Sequence, residues 1–338
     1  MNSMMKRIMM LAACCLVAAT AVAQPKTKLR PDRTLLLYPQ GQNVDQGIVE
    51  NGKAITLGPG ESNEIILEEE IPENGNISNI TQPTIDLYFP KKPNGQLVVV
   101  VPGGGYRIVS SYNEGVYVAD WMLSQGITVC VVKYRLPNGH WTVPLTDVQN
   151  AFRYCRAHAE EWKVKQIGII GFSAGGHLAA SASNLYVDAV TRPDFSILIY
   201  PVIQFQSAIT HRGTQNNLIG KQELWDDKNL TVKEYEEKMH RYETLVERYS
   251  LEKQVTENTP VTFIAHCLDD KTVPIQNSFC YMLSLKEHKV PAEMHVYPTG
   301  GHGWGFTTDK FGKDKIGYCR EDFFNELSHW LKRVSVNP

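Results

Sequence analysis

Ser173 stands in Gly171-Phe172-Ser173-Ala174-Gly175, a G-x-S-x-G pattern. A serine hydroxyl is a weak nucleophile until a base takes its proton, and the base needs a third group to hold its tautomer. Two loops downstream carry both residue types. Leu268-Asp-Asp-Lys-Thr-Val-Pro274 contains Asp269 and Asp270, and Pro298-Thr-Gly-Gly-His-Gly-Trp-Gly305 contains His302. Upstream, Pro102-Gly-Gly-Gly105-Tyr106 offers amides that can pass close to a substrate carbonyl. A developing oxyanion needs such preorganised donors. The chemistry these residues point to is acyl transfer. Ser173 attacks, His302 shuttles the proton, an aspartate orients the imidazole, and the amides of Gly104, Gly105 and Ala174 form the oxyanion hole. The plain alternative is a glycine-rich turn with an idle serine, since G-x-S-x-G alone is common by chance. The other two loops tip the balance.

The surrounding elements must bring these residues to one edge. Ile167 to Ile170 reads as a buried strand, and small residues continue past Ser173 as a helix. That is the strand, sharp turn and helix in which such a serine is presented. Side chains at 171 or 175 would collide with the neighbouring strand and helix. The helix start beside Ser173 favours developing negative charge. Leu97 to Val101 is a continuous apolar run, as in a strand covered on both faces. Further strands are expected at Thr84–Phe89, Ile127–Val132, Phe195–Tyr200, Val261–Ala265 and Glu293–Tyr297. Helices are expected within Asn113–Ser124, Leu145–Trp162, Pro274–Leu285 and Glu321–Val334. This alternation implies a mostly parallel sheet with helices on both faces. The aspartate and histidine loops then fall at the carboxyl ends of strands, where open α/β sheets place their sites. Asp269 and Asp270 compete for the acid. Asp270 has the better spacing to the next helix, and Asp269 suits a turn or cap. His177 and His295 read as structural. Tyr106, Arg107 and Trp304 flank the loops, and Tyr106 and Trp304 are expected to leave a shallow acyl pocket with a sugar-stacking wall.

At the amino end, Lys6-Arg7, an apolar stretch from Ile8 to Val22 and Ala21-Val-Ala23 form a secretory signal peptide over residues 1–23, with cleavage before Gln24. A periplasmic or secreted location follows. The apolar stretch is too short to span a bilayer. Leu11-Ala-Ala-Cys14 offers a second reading, a lipoprotein anchor at Cys14. Without Lys6 and Arg7 the 34 basic residues become 32, against 36 acidic ones. No basic block calls for nucleic acid and no polybasic helix calls for lipid. The remaining cysteines, Cys130, Cys155, Cys267, Cys280 and Cys319, are odd in number and lack C-x-x-C spacing. This excludes a disulfide framework and a zinc site. Cys130 and Cys267 read as buried apolar fillers, and one disulfide of unassigned pairing is compatible with an oxidising compartment. No metal or organic cofactor is expected.

Residues 24–83 are polar and turn-rich, an extension with edge strands at Ile65–Ile71 and Asn76–Ile80. Residues 84–338 read as one catalytic domain, interrupted at 204–259. That insertion carries a charged helix, Thr231 to Leu251. Its stripe of Val232, Tyr235, Met239, Tyr242, Leu245, Val246 and Tyr249 is amphipathic. The helix either docks on the body or caps the catalytic edge, and its place after a sheet strand favours a cap.

From about Asn79 onward the chain resembles the α/β-hydrolase superfamily. Within it, the chain is similar to secreted bacterial acetyl xylan esterases and the hormone-sensitive-lipase-like group. The matching segments are Pro102-Gly-Gly-Gly-Tyr106, Tyr134-Arg-Leu-Pro137, Gly171-Phe-Ser-Ala-Gly-Gly-His-Leu-Ala-Ala180, Tyr200-Pro-Val-Ile203, Asp270-Lys-Thr-Val-Pro274 and Gly300-Gly-His-Gly-Trp-Gly305. The resemblance implies the α/β-hydrolase fold and a serine carboxylesterase acting on short acyl esters. Its substrates would be O-acetyl groups of xylan-derived saccharides, and its site Ser173, Asp270 and His302. One departure is Pro102, where the hormone-sensitive-lipase-like motif begins with histidine. A prolyl-oligopeptidase-like peptidase shares the residue order but usually carries a propeller, and only residues 24–83 precede the strand at Thr84. A non-catalytic binding protein on this scaffold is the third reading, and the intact constellation argues against it.

Overall fold

Runs of β-branched residues that cannot be solvated on either face must be covered on both, and the chain meets that demand with a three-layer arrangement. The computed structural model describes residues 29–38, 49–50, 53–56, 64–66, 69–71, 75–80, 82–221 and 230–335. The expected leader at 1–23, with Cys14, lies outside them. Eight strands form the main sheet: β1 (Arg33–Leu36), β2 (Thr84–Tyr88), β3 (Gln96–Val101), β4 (Thr128–Lys133), β5 (Gln166–Phe172), β6 (Phe195–Ile199), β7 (Val261–Cys267) and β8 (Ala292–Tyr297). Their order is β1-β2-β4-β3-β5-β6-β7-β8. β2 runs antiparallel to β1 and β4, and the strands from β4 to β8 pair in parallel.

Helices α1 (Tyr117–Ser124), α2 (Val143–Ala157), α3 (Ser173–Asn184), α4 (Arg212–Ile219), α5 (Val232–Arg248), α6 (Gln276–Glu287) and α7 (Cys319–Val334) complete the layers. The alternation along β3 divides the core. Val98 and Val100 join Met122 of α1 and Trp330 of α7 on one face. Val99 and Val101 join Phe152 of α2, Leu178 of α3 and Tyr281 of α6 on the other. Each of these fully buried valines contributes on the order of 1.5–3 kcal/mol of transfer free energy.

The edge-strand expectation changes. The strands foreseen at the sheet edge in 65–71 and 76–80 belong to two separate three-stranded sheets. The antiparallel pairing of Asn76–Ser78 with Ile108–Ser110 braces the chain just after the 103–105 loop. The true edge strand is β1, whose exposed Arg-Thr-Leu-Leu carries too little apolar signal to read from sequence. In the insertion, α5 starts at a capping box of Thr231 and Glu234. Only the later part of its stripe is covered, with Tyr242, Leu245 and Tyr249 buried and Val232 76% exposed. All five described cysteines are free thiols.

A buried ion pair locks the segment after β4. Arg135 Nη2 and Nε donate to the Asp147 carboxylate of α2 at 2.7 Å and 3.1 Å, and Tyr38 Oη donates to it at 2.8 Å. The preceding Tyr134 hydroxyl donates to Pro102 O at 2.8 Å, so this lock reaches the glycine loop. Removing one partner leaves an uncompensated charge, which typically costs about 3–5 kcal/mol. Asp147→Ala should lower the unfolding free energy from urea titration by that much, and the Arg135→Met/Asp147→Leu double variant should recover most of the loss. Equal losses in both would show that the charge pair is not the source.

Candidate active site

β5 delivers Ser173 into a turn that only small neighbours permit. Ser173 has φ of 53°, a left-handed value that side chains rarely adopt. Such strain in a non-glycine residue is concentrated at functional sites. A Cβ on Gly171 would lie 2.2 Å from Gly175 O, and one on Gly175 would lie 2.2 Å from Val101 O. These glycines let α3 fold back against β3 and β5. Val202 N donates to Ser173 O at 3.0 Å and fixes the turn from the segment after β6.

The ends of β7 and β8 bring the partners. His302 Nε2 lies 2.8 Å from Ser173 Oγ, and His302 Nδ1 lies 2.6 Å from Asp270 Oδ2. A carboxylate only accepts, so the hydrogen-bond network assigns the ring proton to Nδ1 and leaves Nε2 to accept from the serine hydroxyl. The Asp270 Oδ1 atom accepts from the Thr272 and Val273 amides at 2.9 Å each. His266 Nε2 donates toward Asp270 Oδ2 at 3.2 Å and to Val273 O at 3.0 Å. Burial alone would push the Asp270 carboxyl up. Hydrogen bonds from His266 and His302, the His302 charge and the Val273 amide together hold it well below the ordinary carboxylate range. Asp269 instead accepts from the Gly301 amide at 2.8 Å and shapes the histidine loop.

The loop after β3 closes the arrangement. Gly104 and Gly105 have φ of 131° and 67°, and both line the cleft with Ser173 and His302. Ala174 is in the first turn of α3, where an amide has no partner four residues back. The cleft is about 660 Å³. Besides these groups it is lined by Asn76, Arg107, His211, Asn216 and Lys221. Its contribution from the insertion is α4 and its flanks; none of the described residues of α5 lines it.

Two expected contacts fail. Tyr106 and Trp304 are 1% and 0% exposed and do not form a stacking wall. Tyr106 points inward because its hydroxyl donates to His177 Nδ1 at 3.0 Å, while His177 Nε2 donates to Tyr249 O at 2.9 Å. Burial pushes the His177 pKa down to about 4, which fits a neutral ring stacked on Phe205 at 4.6 Å. Trp304 packs edge-on against Tyr200 and Phe323. Bulky residues beside glycine loops fill the space beneath those loops, and local sequence carries no sign of which side they take.

Other site residues escaped the sequence reading. Asn217 Nδ2 donates to Gly105 O at 2.8 Å. The His211 side chain accepts from the Thr214 amide and caps α4. Burial and the charge of His302 push the His211 pKa down, against a smaller opposite pull from Asp270. His266, four residues before Asp270 in a strand, offered a signal only in hindsight of the strand's end.

Asp270→Asn should cut kcat by about 10⁴, as loss of a triad carboxylate does. Asp269→Asn keeps a carbonyl acceptor for Gly301 and should lose about 1 kcal/mol of hydrogen bonding at most, less than about tenfold in rate. Steady-state kinetics on an aryl acetate checks both, and equal losses would reassign the acid.

Residues 85–285 match the BD-FAE family. The chain is 34% identical over 263 residues to an acetylxylan esterase of Xylanibacter ruminicola, covering 77% of this chain and 50% of that protein. It is 32% identical over 230 residues to endo-1,4-beta-xylanase B of Butyrivibrio fibrisolvens, covering 63% and 33%. The chain thus spans half or less of the length of these curated relatives. Among solved structures, the acetyl ester-xyloside bifunctional hydrolase from Caldicellulosiruptor lactoaceticus superposes with a TM-score of 0.65 at 26% identity, over 91% of this chain and 98% of that one. A carboxylesterase from Lactobacillus plantarum shares the fold, with a TM-score of 0.58 at 20% identity over 75% and 93%. A family match that runs from β2 through α6, on a sheet superposing with those hydrolases, makes this chain a member of the BD-FAE family with the α/β-hydrolase fold.

Proposed function

We propose that this chain is a secreted serine carboxylesterase that removes acetyl groups from hemicellulose-derived saccharides. The observation that carries the reading is the hydrogen-bonded series Ser173–His302–Asp270 opening onto a glycine-walled polar cleft. The likeness to an acetylxylan esterase supports the substrate class.

In this reading Ser173 Oγ attacks the acyl carbon as its proton passes to His302 Nε2. The carbonyl oxygen becomes an oxyanion held by the amides of Gly104, Gly105 and Ala174. The imidazolium is stabilised by Asp270, which itself stays ionised. Collapse breaks the ester C–O bond, and the departing sugar oxygen takes the proton from Nε2. Water then attacks the acyl-enzyme, giving its proton to His302, and Ser173 leaves with that proton restored. This machinery needs no metal or organic cofactor. Glycosidic cleavage, by contrast, needs two carboxylates flanking the bond. Glu114 is the sole carboxylate among the described residues lining the cleft, and Asp270 is committed to His302. The segment 204–259 acts as a cap in this reading, with α4 forming the wall and α5 supporting it from behind.

Ser173→Ala should abolish turnover on acetylated xylo-oligosaccharides and aryl acetates while leaving circular dichroism and the melting curve unchanged, because the hydroxyl contributes little packing. Activity above a few per cent would place the nucleophile elsewhere.

Acyl length is a second check. Among the described residues, Ile108 is the one aliphatic side chain on the cleft lining. A longer acyl chain would therefore gain little of the roughly 0.8 kcal/mol per methylene that burial provides. On a nitrophenyl ester series from acetate to octanoate, kcat/KM should be highest at acetate. A maximum at hexanoate or octanoate would overturn the short-acyl assignment.

A further inference from the structure

We infer that Glu114 is a positioning residue that holds the 103–105 loop and the histidine loop in register with Ser173, acting through Tyr200. The inference rests on the serine-esterase reading above.

Glu114 sits in a single π-helical turn, Tyr112–Val116, directly before α1. It is 4% exposed. Its two oxygens are divided between the two loops. Oε2 accepts from the Gly103 amide at 2.7 Å, and Oε1 accepts from the Tyr200 hydroxyl at 2.8 Å. The same Tyr200 oxygen accepts from the Gly305 amide at 2.8 Å. One carboxylate therefore connects the residue before Gly104 to the residue three after His302. The neighbouring Asn113 works in the same direction. Its Nδ2 donates to Gly303 O at 3.0 Å, and its backbone carbonyl accepts from the Phe306 amide at 3.2 Å.

Two details fit positioning better than plain packing. A Cβ on Gly103 would lie 2.8 Å from Glu114 Oε2 and 2.5 Å from Phe172 O, so position 103 stays bare to admit the carboxylate and the end of β5. Tyr200 has φ of 39°, a strained value for a tyrosine. That backbone places its ring 4.8 Å from the His302 ring while its hydroxyl reaches Glu114. A buried carboxylate is also an expensive way to fill space, since desolvating it is unfavourable unless it is well hydrogen-bonded. Burial pushes the Glu114 carboxyl up, against the Tyr200 and Gly103 hydrogen bonds and the charges of His302 and Lys315. An apolar residue would pack here at less cost but could not bridge two loops. Glu114 makes no hydrogen bond to Ser173 or His302, so it positions them through the backbone at Gly103 and through Tyr200.

Oxyanion donors act only when they sit at about 2.7–3.1 Å from the developing charge, and a misplacement near 1 Å can cost about 10²-fold in rate. The test uses Glu114→Gln, Tyr200→Phe and the double variant, each assayed on an aryl acetate with active serines counted by fluorophosphonate titration. Glutamine keeps one acceptor and its volume; phenylalanine keeps the ring and carries the test if the glutamine variant folds poorly. Both single variants should lose about 10² in kcat per titrated serine, with KM moving less than about threefold. The double variant should fall little below the worse single one, because both act on one connection. A trifluoromethyl ketone, whose adduct places an oxyanion in the hole, should lose affinity in step with kcat. A purely structural role would lower the melting temperature and the titrated fraction but leave kcat per site intact. Near-wild-type kcat and inhibitor affinity per titrated site would overturn the inference. Failure of Ser173 to label in the wild-type protein would instead overturn the esterase reading, and this inference with it.

Discussion

The 2.8 Å contact between Ser173 Oγ and His302 Nε2 joins residues 129 positions apart. A hydrogen bond weakens steeply outside a narrow range of distance and angle. Every element that ends near this contact must therefore stop in the right place. The parallel sheet meets much of that demand. β3, β5, β7 and β8 point their carboxyl ends the same way, and the segments that follow carry Gly104 and Gly105, Ser173, Asp270 and His302. The register between β5 and β3, from Gln166 opposite Gln96 to Gly171 opposite Val101, sets the serine and the glycine loop side by side.

A sheet alone does not set loops to within an ångström. Here polar side chains around and beneath the site complete the task. Asp269 shapes the histidine loop from one side, and Glu114, Asn113 and Tyr200 hold it from the other. Tyr134 holds Pro102, and the Arg135–Asp147 pair holds Tyr134's neighbour. The buried ones, Glu114, Tyr200, Tyr134, Arg135 and Asp147, lose water on folding and are stabilised only while their partners stay in place. Such connections make the geometry stiff, because moving one loop strands a polar group elsewhere.

The insertion adds the outer wall. α4 touches the cleft through His211, Asn216 and Asn217, and Asn217 also binds the Gly105 carbonyl. α5 stands behind α4, anchored by Tyr242, Leu245 and Tyr249. Tyr249 reaches the Trp141 carbonyl with its hydroxyl and receives His177 at its own carbonyl. His177 thus ties the insertion to the helix that begins at Ser173, a structural role in keeping with its neutral, stacked ring.

Much of this was legible in the chain. Strand β3, the elbow at Ser173 and the loops bearing Asp270 and His302 follow from local rules: apolar runs must be buried, and tight turns need glycine. Spacing to the next helix favours Asp270 over Asp269 without deciding between them, and the fold sets Asp270 against His302. Side-chain direction was not legible. Tyr106 and Trp304 border the right loops yet turn inward, because a buried histidine and a cluster of rings lie beneath them. β1 and the strand at Ile108–Ser110 are too short to carry a periodic pattern, so only pairing with distant partners makes them strands. Glu114, His266 and Asn217 look like ordinary polar residues until the fold brings their acceptors and donors together. The sequence by itself determined the order of the elements and the residue types at the ends of the strands, since propensity and burial act locally. The tertiary structure alone decided which polar groups meet, because a hydrogen bond depends on distances that no spacing along the chain encodes.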